Sequence, residues 1–276
     1  MRGMVMASES AALGEYLRAR RDVCQPEEVG LTRESGRRVP GLRRDEVAIL
    51  ANISAEYYLR LEQGRGARPS DQVLQALGRA LNLDAESHEY LFKLASGQHT
   101  QPSLPAQDSA DRIAQILSQW THTPAYVSDS NRDIVAANPL ATVLGHGGLS
   151  AGRNVVTDLF NDRMKIQLAE WEPMTRSALA SLRRDADPFS PRLKEIVDEL
   201  SGDEDFVRMW SRYDVSGAED ARISMQIEGV GRISIDLQNL AVRSMPGYLL
   251  TVLSAPPQSI AARVFGSLQR SLETSE

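Results

Sequence analysis

Residues 41–83 read GLRRDEVAILANISAEYYLRLEQGRGARPSDQVLQALGRALNL, and their punctuation predicts three short helices. Val47 and Leu50 lie three apart with small Ala48 and Ala51 beside them, so one helix spans 43–51. Asn52-Ile53-Ser54 is a short turn. The Ser54 hydroxyl is placed to accept an orphan backbone N–H, so it opens a second helix over 55–63, which Gly64 ends. Pro69 and Ser70 open a third, with Val73, Leu74, Leu77 and Leu81 as its inner face. A helix, a three-residue turn and a capped helix across 43–63 suit a reader whose second helix enters a major groove while the first crosses the backbone. Burial of Val47, Ala48, Ile53, Tyr58 and Leu61 would set the angle between the two. Ala55, Glu56, Leu59 and Arg60 then point away, toward DNA. By itself the pattern also fits an ordinary helical hairpin in a bundle.

Outward from this stretch, Leu13, Tyr16 and Leu17 share one face of a helix over 11–22. Residues 23–42 hold Pro26, Gly30, Gly36, Pro40 and Gly41 with Arg33, Arg37 and Arg38 between them, and read as a long loop. Asp84 caps a further helix with Tyr90, Leu91 and Leu94 inward. Residues 1–96 therefore read as an all-α five-helix bundle and 97–109, polar and proline-bearing, as a linker. Residues 110–276 read as a second domain. A helix over 111–120 precedes a hairpin of 125–129 and 134–138, and helices fill 139–215. Extended runs return at 222–228, 232–239 and 247–254. The expectation is an α+β domain with one antiparallel sheet of about five strands.

The chain of 276 residues carries a net charge of −6, distributed unevenly. Residues 1–96 balance 14 Lys/Arg with 14 Asp/Glu, while the remainder holds 17 basic and 23 acidic residues. Within 18–68 there are 11 arginines against 8 acids and no lysine. Arginine's planar fork suits base edges and phosphates. Cys24 is the single cysteine, which excludes an internal disulfide and fits a reducing cytoplasm. No apolar run is long enough to span a membrane, and residues 1–10 do not read as a signal peptide. His88, His99, His122 and His146 have no helical pairing, so no metal site is expected. The stretch 145–148, Gly-His-Gly-Gly, lacks the Lys and Ser/Thr of a phosphate loop and reads as a turn. No Ser/His/Asp or paired-carboxylate arrangement is legible and no cofactor is implied; an enzyme is disfavoured.

The spacing of Arg43-Arg44-Asp45-Glu46-Val47-Ala48, Ser54, Tyr57-Tyr58, Arg60-Leu61-Glu62-Gln63-Gly64 and Pro69-Ser70 resembles the Xre/Cro-type DNA-binding half of actinobacterial regulators, which also have an arginine-bearing loop after the first helix. Trp210-x-x-x-Asp214-Val215, the strand pair around Asp129 and Asn138, and the closing strand over 247–256 are similar to the MmyB-like ligand-binding domain. That resemblance implies a PAS-like fold and a small hydrophobic effector such as a fatty acid. Two positions depart from the family pattern: Ala137 stands where a Trp is usual, and Gln226-Ile227 where His-Pro is frequent.

The expected function is a transcription regulator on double-stranded operator DNA. Glu56 and Arg60 are expected to read bases, with Ala55, Tyr57 and Leu59 on the same helix. Arg43, Arg44, Arg65 and Arg68 meet phosphates, Ser54 caps the reading helix, and Arg37 and Arg38 reach the DNA from the loop. A homodimer is expected, with Ile260, Val264, Leu268 and Leu272 as one stripe for a partner or for its own domain. An elongated apolar pocket is expected between the sheet and the helices of 154–213. Its walls would be Leu159, Phe160, Met164, Leu168, Trp171, Leu179, Phe206 and Trp210, with Asn138, Arg176 and Tyr213 at a polar end. The alternative is a C-terminal domain that only mediates protein contacts.

Overall fold

The computed structural model describes residues 9–33, 37, 39–97, 106–145, 147–227 and 229–274. Two compact units emerge: Met1–His99 with Pro188–Gly217, and Thr100–Asp187 with Ala218–Glu276.

The first unit opens with α1 (Glu9–Val23), then α2 (Arg44–Leu50), α3 (Ala55–Glu62), α4 (Asp71–Ala80) and α5 (Ala85–Ser96). Each predicted cap is in place. Ser54 Oγ accepts from Tyr57 N at 3.1 Å and Asp84 Oδ1 from Ser87 N at 2.8 Å. Two helices stop by the same local device. Asn52 and Asn82 take left-handed backbone at φ 53° and 49°. The next amide then closes back, Ile53 N to Ala48 O and Leu83 N to Gly78 O, both at 2.9 Å. This satisfies carbonyls that helix ends leave open. Leu13, Tyr16, Leu17, Val47, Ala48, Tyr58, Leu61, Leu74, Leu77, Leu91 and Leu94 form one buried core, with Ile53 and Val73 half-buried at its rim.

The second unit begins with α6 (Ala106–Leu117) and the hairpin β1 (Ala125–Ser128) and β2 (Ile134–Ala137). Four helices follow: α7 (Pro139–Leu144), α8 (Val155–Leu159), α9 (Asp162–Gln167) and α10 (Trp171–Asp185). The chain then supplies α11 (Pro191–Leu200) and α12 (Glu204–Trp210) to the first unit. It resumes the second with β3 (Ala221–Ile227), β4 (Gly231–Ala241), β5 (Leu249–Ser254) and α13 (Ile260–Glu273). The five strands lie in the order β2-β1-β5-β4-β3, every pair antiparallel. Alternation sorts the faces. Ile233, Ile235 and Leu253 pack with Leu144, Ala261 and Phe265, whereas Val127, Leu250 and Val252 pack with Ile113 and Leu117 of α6. Loop backbone pairs with both edge strands, through Ile134 N to Arg153 O at 2.8 Å and Ala169 N to Ser224 O at 2.9 Å. Such cover blunts edge-to-edge association.

Of the C-terminal stripe, Leu268 packs against the core of its own domain. α13 buries Ala261 and Phe265, while Ile260 is 41% exposed. A strict four-residue repeat advances about 40° per step around a helix with 3.6 residues per turn, so the stripe spirals off the sheet-facing side.

Candidate functional site

The second helix of the expected helix-turn-helix, α3, has two distinct faces. Tyr58 and Leu61 are buried in the core, and Ala55, Glu56 and Arg60 are exposed on the opposite side, with Tyr57 and Leu59 half-buried between. Ser54 is exposed at the cap. Arg65 and Arg68 are exposed in the connection to α4. Arg68 approaches Asp71 at 3.9 Å, with both side chains more than half exposed, an ion pair too solvated to hold it.

The last residue of α3, Glu62, has a fully buried side chain. Its carboxylate accepts from Arg21 Nε and from Arg44 Nε, each at 2.6 Å, tying α1, α2 and α3 at one point. Arg21 also donates to Leu42 O at 3.0 Å and meets Asp22 at 2.7 Å. Burial works against the charge on Glu62. The hydrogen bonds from the two guanidinium groups outweigh burial and hold its carboxyl below the usual range. Nothing in the spacing of Glu62 marks this role, because its partners lie 41 and 18 residues away. Arg44 remains half exposed, so one of its faces is spoken for and the other is open to solvent.

Arg37 corrects the sequence expectation. Its side chain is 2% exposed. Its Nη1 donates to Glu46 Oε1 and its Nη2 to Gly41 O, both at 2.7 Å. Glu46 in turn accepts from Arg43 N at 2.6 Å at the start of α2. Arg37 therefore locks the entry to α2 and has no reach to a nucleic acid. Its hydrogen bonds lower the carboxyl of Glu46, against a smaller opposing effect of burial. Arg38 lies outside the described residues. Arg43 is half-buried at the N-cap of α2.

In the second unit, Leu159, Phe160, Leu168 and Leu179 are buried and Met164, Trp171 and Arg176 half-buried. Phe160 meets Trp171 edge to face at 5.8 Å, and Trp171 Nε1 donates to Leu159 O at 2.6 Å. Lys165, which no motif singles out, places its ammonium 4.9 Å from the Trp171 ring. Thr175 is fully buried, and its hydroxyl has no hydrogen-bond partner among the described residues. It lies four residues after Trp171 and four before Leu179, hence on their face of α10.

Asn138 departs from its expected ligand role. Its Oδ1 accepts from Ala125 N at 3.2 Å and Ala141 N at 2.9 Å, and its Nδ2 donates to Trp120 O at 2.7 Å and Thr123 O at 2.8 Å. These four bonds exhaust the amide. Phe206, Trp210 and Tyr213 fall in the first unit. Phe206 stacks on Trp210 at 5.6 Å and Tyr213 Oη donates to Glu15 at 2.8 Å. Their separation from the other wall residues reflects a chain excursion that helical periodicity cannot signal.

Among the described residues, no group of three or more His, Cys, Asp or Glu is placed to hold a metal ion, and no helix is long and apolar enough to cross a membrane. No curated protein matches the chain. Residues 12–91 match the family described as a helix-turn-helix domain. Residues 110–268, more than half of the chain, match the MmyB-like transcription regulator ligand binding domain. A helix-turn-helix domain joined to that second domain is the architecture of a DNA-binding transcription regulator, and the chain belongs to the MmyB-like transcription regulator family.

Proposed function

We propose that this regulator reads a specific operator through α3 and answers to a small hydrophobic effector held in its second unit. The observation that carries the first half is the division of α3, with Tyr58 and Leu61 buried and Glu56 and Arg60 exposed beside a capped N-terminus. Arg60→Ala is expected to weaken operator binding by about 1–3 kcal/mol and relax sequence preference. Arg65→Ala is expected to weaken binding to all DNA alike and lower the salt slope by about one. Titrations on operator and on scrambled DNA at several salt concentrations separate the two, and equal losses on both DNAs for both variants defeat the role assignment. Pairing of two copies on half-sites about 34–36 Å apart is part of the same reading. A monomer in sedimentation, with one protein per operator, argues against it.

The effector half rests on the family match over 110–268 and on the buried, unpartnered hydroxyl of Thr175, which shares a face of α10 with Trp171 and Leu179. Ligand sites combine apolar walls with a few polar groups. Leu159, Phe160, Met164, Leu168, Trp171 and Leu179 supply the walls, Thr175 a hydroxyl, and Arg176 a charge that pairs with a carboxylate. We take a fatty acid as the example of such an effector. Leu159, Phe160, Leu168 and Leu179 are buried, so binding selects a conformation in which the walls part. A tenfold change in operator affinity requires about 1.4 kcal/mol of coupling. Decanoate and myristate are the probes, read by Trp fluorescence and operator affinity, with Leu179→Trp as the blocked control. If neither probe changes either signal and Leu179→Trp destabilises the fold by about 1–3 kcal/mol, the region is solid core. The C-terminal half then serves protein contacts alone.

A further inference from the structure

Residues 188–217 lie inside the stretch that matches the ligand-binding family, yet they fold as part of the unit that carries the helix-turn-helix. Their last residues are fastened to α1 and α5. Tyr213 Oη donates to Glu15 at 2.8 Å and its ring meets that of Tyr16 edge-on at 6.0 Å. Asp214 accepts from Arg20 at 3.3 Å and from Arg212 Nε at 2.9 Å. Val215 is 5% exposed within the core of the bundle, and Gly217 N donates to Glu86 at 2.7 Å. Tyr213 holds a left-handed backbone at φ 54°. A bulky residue adopts that conformation only where its surroundings over-determine it, and such positions cluster at switch regions.

Two further facts give this segment a direction of action. Its anchor Arg20 neighbours Arg21, whose guanidinium binds Glu62 at the end of the reading helix. Its N-terminal end follows within a few residues of α10, the helix that carries Trp171, Thr175 and Leu179. With the segment in place, Glu56 and Arg60 remain exposed.

We propose that residues 188–217 are a docked lever: seated on α1, they hold the reading helix in its DNA-competent position, and a ligand that shifts α10 withdraws them. The trigger rests on the effector reading above; the docking does not. A displaced lever leaves Tyr16 and the core around Val215 open and frees Tyr213 from its strained backbone, so two discrete arrangements exist for a ligand to bias.

The test uses the full chain with three changes: Asp214→Ala, Tyr213→Phe, and the exchange Arg20→Asp with Asp214→Arg. Operator affinity and hydrogen exchange along α1 are followed with and without decanoate and myristate. Asp214→Ala is expected to weaken operator binding about fivefold or more and speed exchange in α1, though neither Asp214 nor its partners Arg20 and Arg212 are among the residues assigned to DNA. Tyr213→Phe, which keeps the ring and is the milder change, is expected to move both readouts in the same direction. The charge exchange is expected to restore both in part, because it renews the pair with residue 20 while Arg212 loses its carboxylate partner. Either fatty acid is expected to reproduce the loss in the wild type and to add little in Asp214→Ala. If Asp214→Ala and Tyr213→Phe leave operator affinity and α1 exchange unchanged, the lever is refuted whatever the ligand does. If the variants behave as expected while neither fatty acid affects the wild type, the docking stands and the effector reading fails.

Discussion

Glu62→Gln is expected to destabilise the helix-turn-helix unit by about 3 kcal/mol, measured as a shift in the urea midpoint at constant slope. The carboxylate is buried and receives two guanidinium groups at 2.6 Å. Glutamine keeps the shape and loses the charge, which leaves Arg21, 7% exposed, without its buried counter-ion. Removing one member of such a pair costs about 3–5 kcal/mol because the other charge stays buried. The low end applies because Asp22 stays 2.7 Å from Arg21. The same network sets an acid limit. The carboxyl of Glu62 is lowered in the folded state despite the opposing effect of burial, since the bonds from Arg21 and Arg44 prevail. A lowered carboxyl contributes stability that is full above its unfolded value, about 4.3, and is lost as pH falls through the folded value. Wild-type stability should therefore drop below about pH 4.3, and the drop should be shallower in Glu62→Gln. An unchanged midpoint at pH 7 would show that water, not Glu62, satisfies Arg21.

Gly14→Ala is expected to lower stability by about 3 kcal/mol, although alanine is the better helix former by about 0.5–1 kcal/mol. Gly14 sits in the interior of α1, where a Cβ would stand 2.6 Å from Glu62 O and 2.7 Å from Leu61 O. Both obstacles are backbone, so relief requires α1 to move off the end of α3. Overpacking of this kind costs about 1–3 kcal/mol and occasionally more. Gly266→Ala is the control: in α13 its Cβ meets only Arg270 Nη1 at 3.6 Å. There the helix preference acts unopposed, and a gain of about 0.5–1 kcal/mol is expected. Thermal unfolding of both variants gives opposite signs if close approach is the cause. Stabilisation of both would mean that propensity alone decides.

The sheet and the helices were legible because their signals are local. Ser54 and Asp84 announce helix starts through a side chain and a backbone N–H three residues apart. Within 222–228 and 232–239, Ile223, Met225 and Ile227 and then Ile233 and Ile235 recur at the two-residue period of a strand and meet in one apolar cluster. The outward face of α3 was equally accessible, since burying Tyr58 and Leu61 leaves Glu56 and Arg60 little choice.

Whatever depends on residues far apart in the chain was not. Arg37 and Arg60 look alike in sequence, yet one is sealed against Glu46 and the other faces solvent. Asn138 stands at the end of a strand like a site residue and is consumed by four backbone partners. Phe206 and Trp210 have the apolar spacing of pocket walls and Tyr213 the place of a polar end, yet all three belong to the other unit. The sequence by itself determined the elements, their caps and the outward face of α3, because those follow from forces acting over one or two turns. Only tertiary structure decided which arginines are free, where Glu62 binds and to which unit 188–217 belongs, because a buried charge takes whichever partner the packing of distant segments brings within reach.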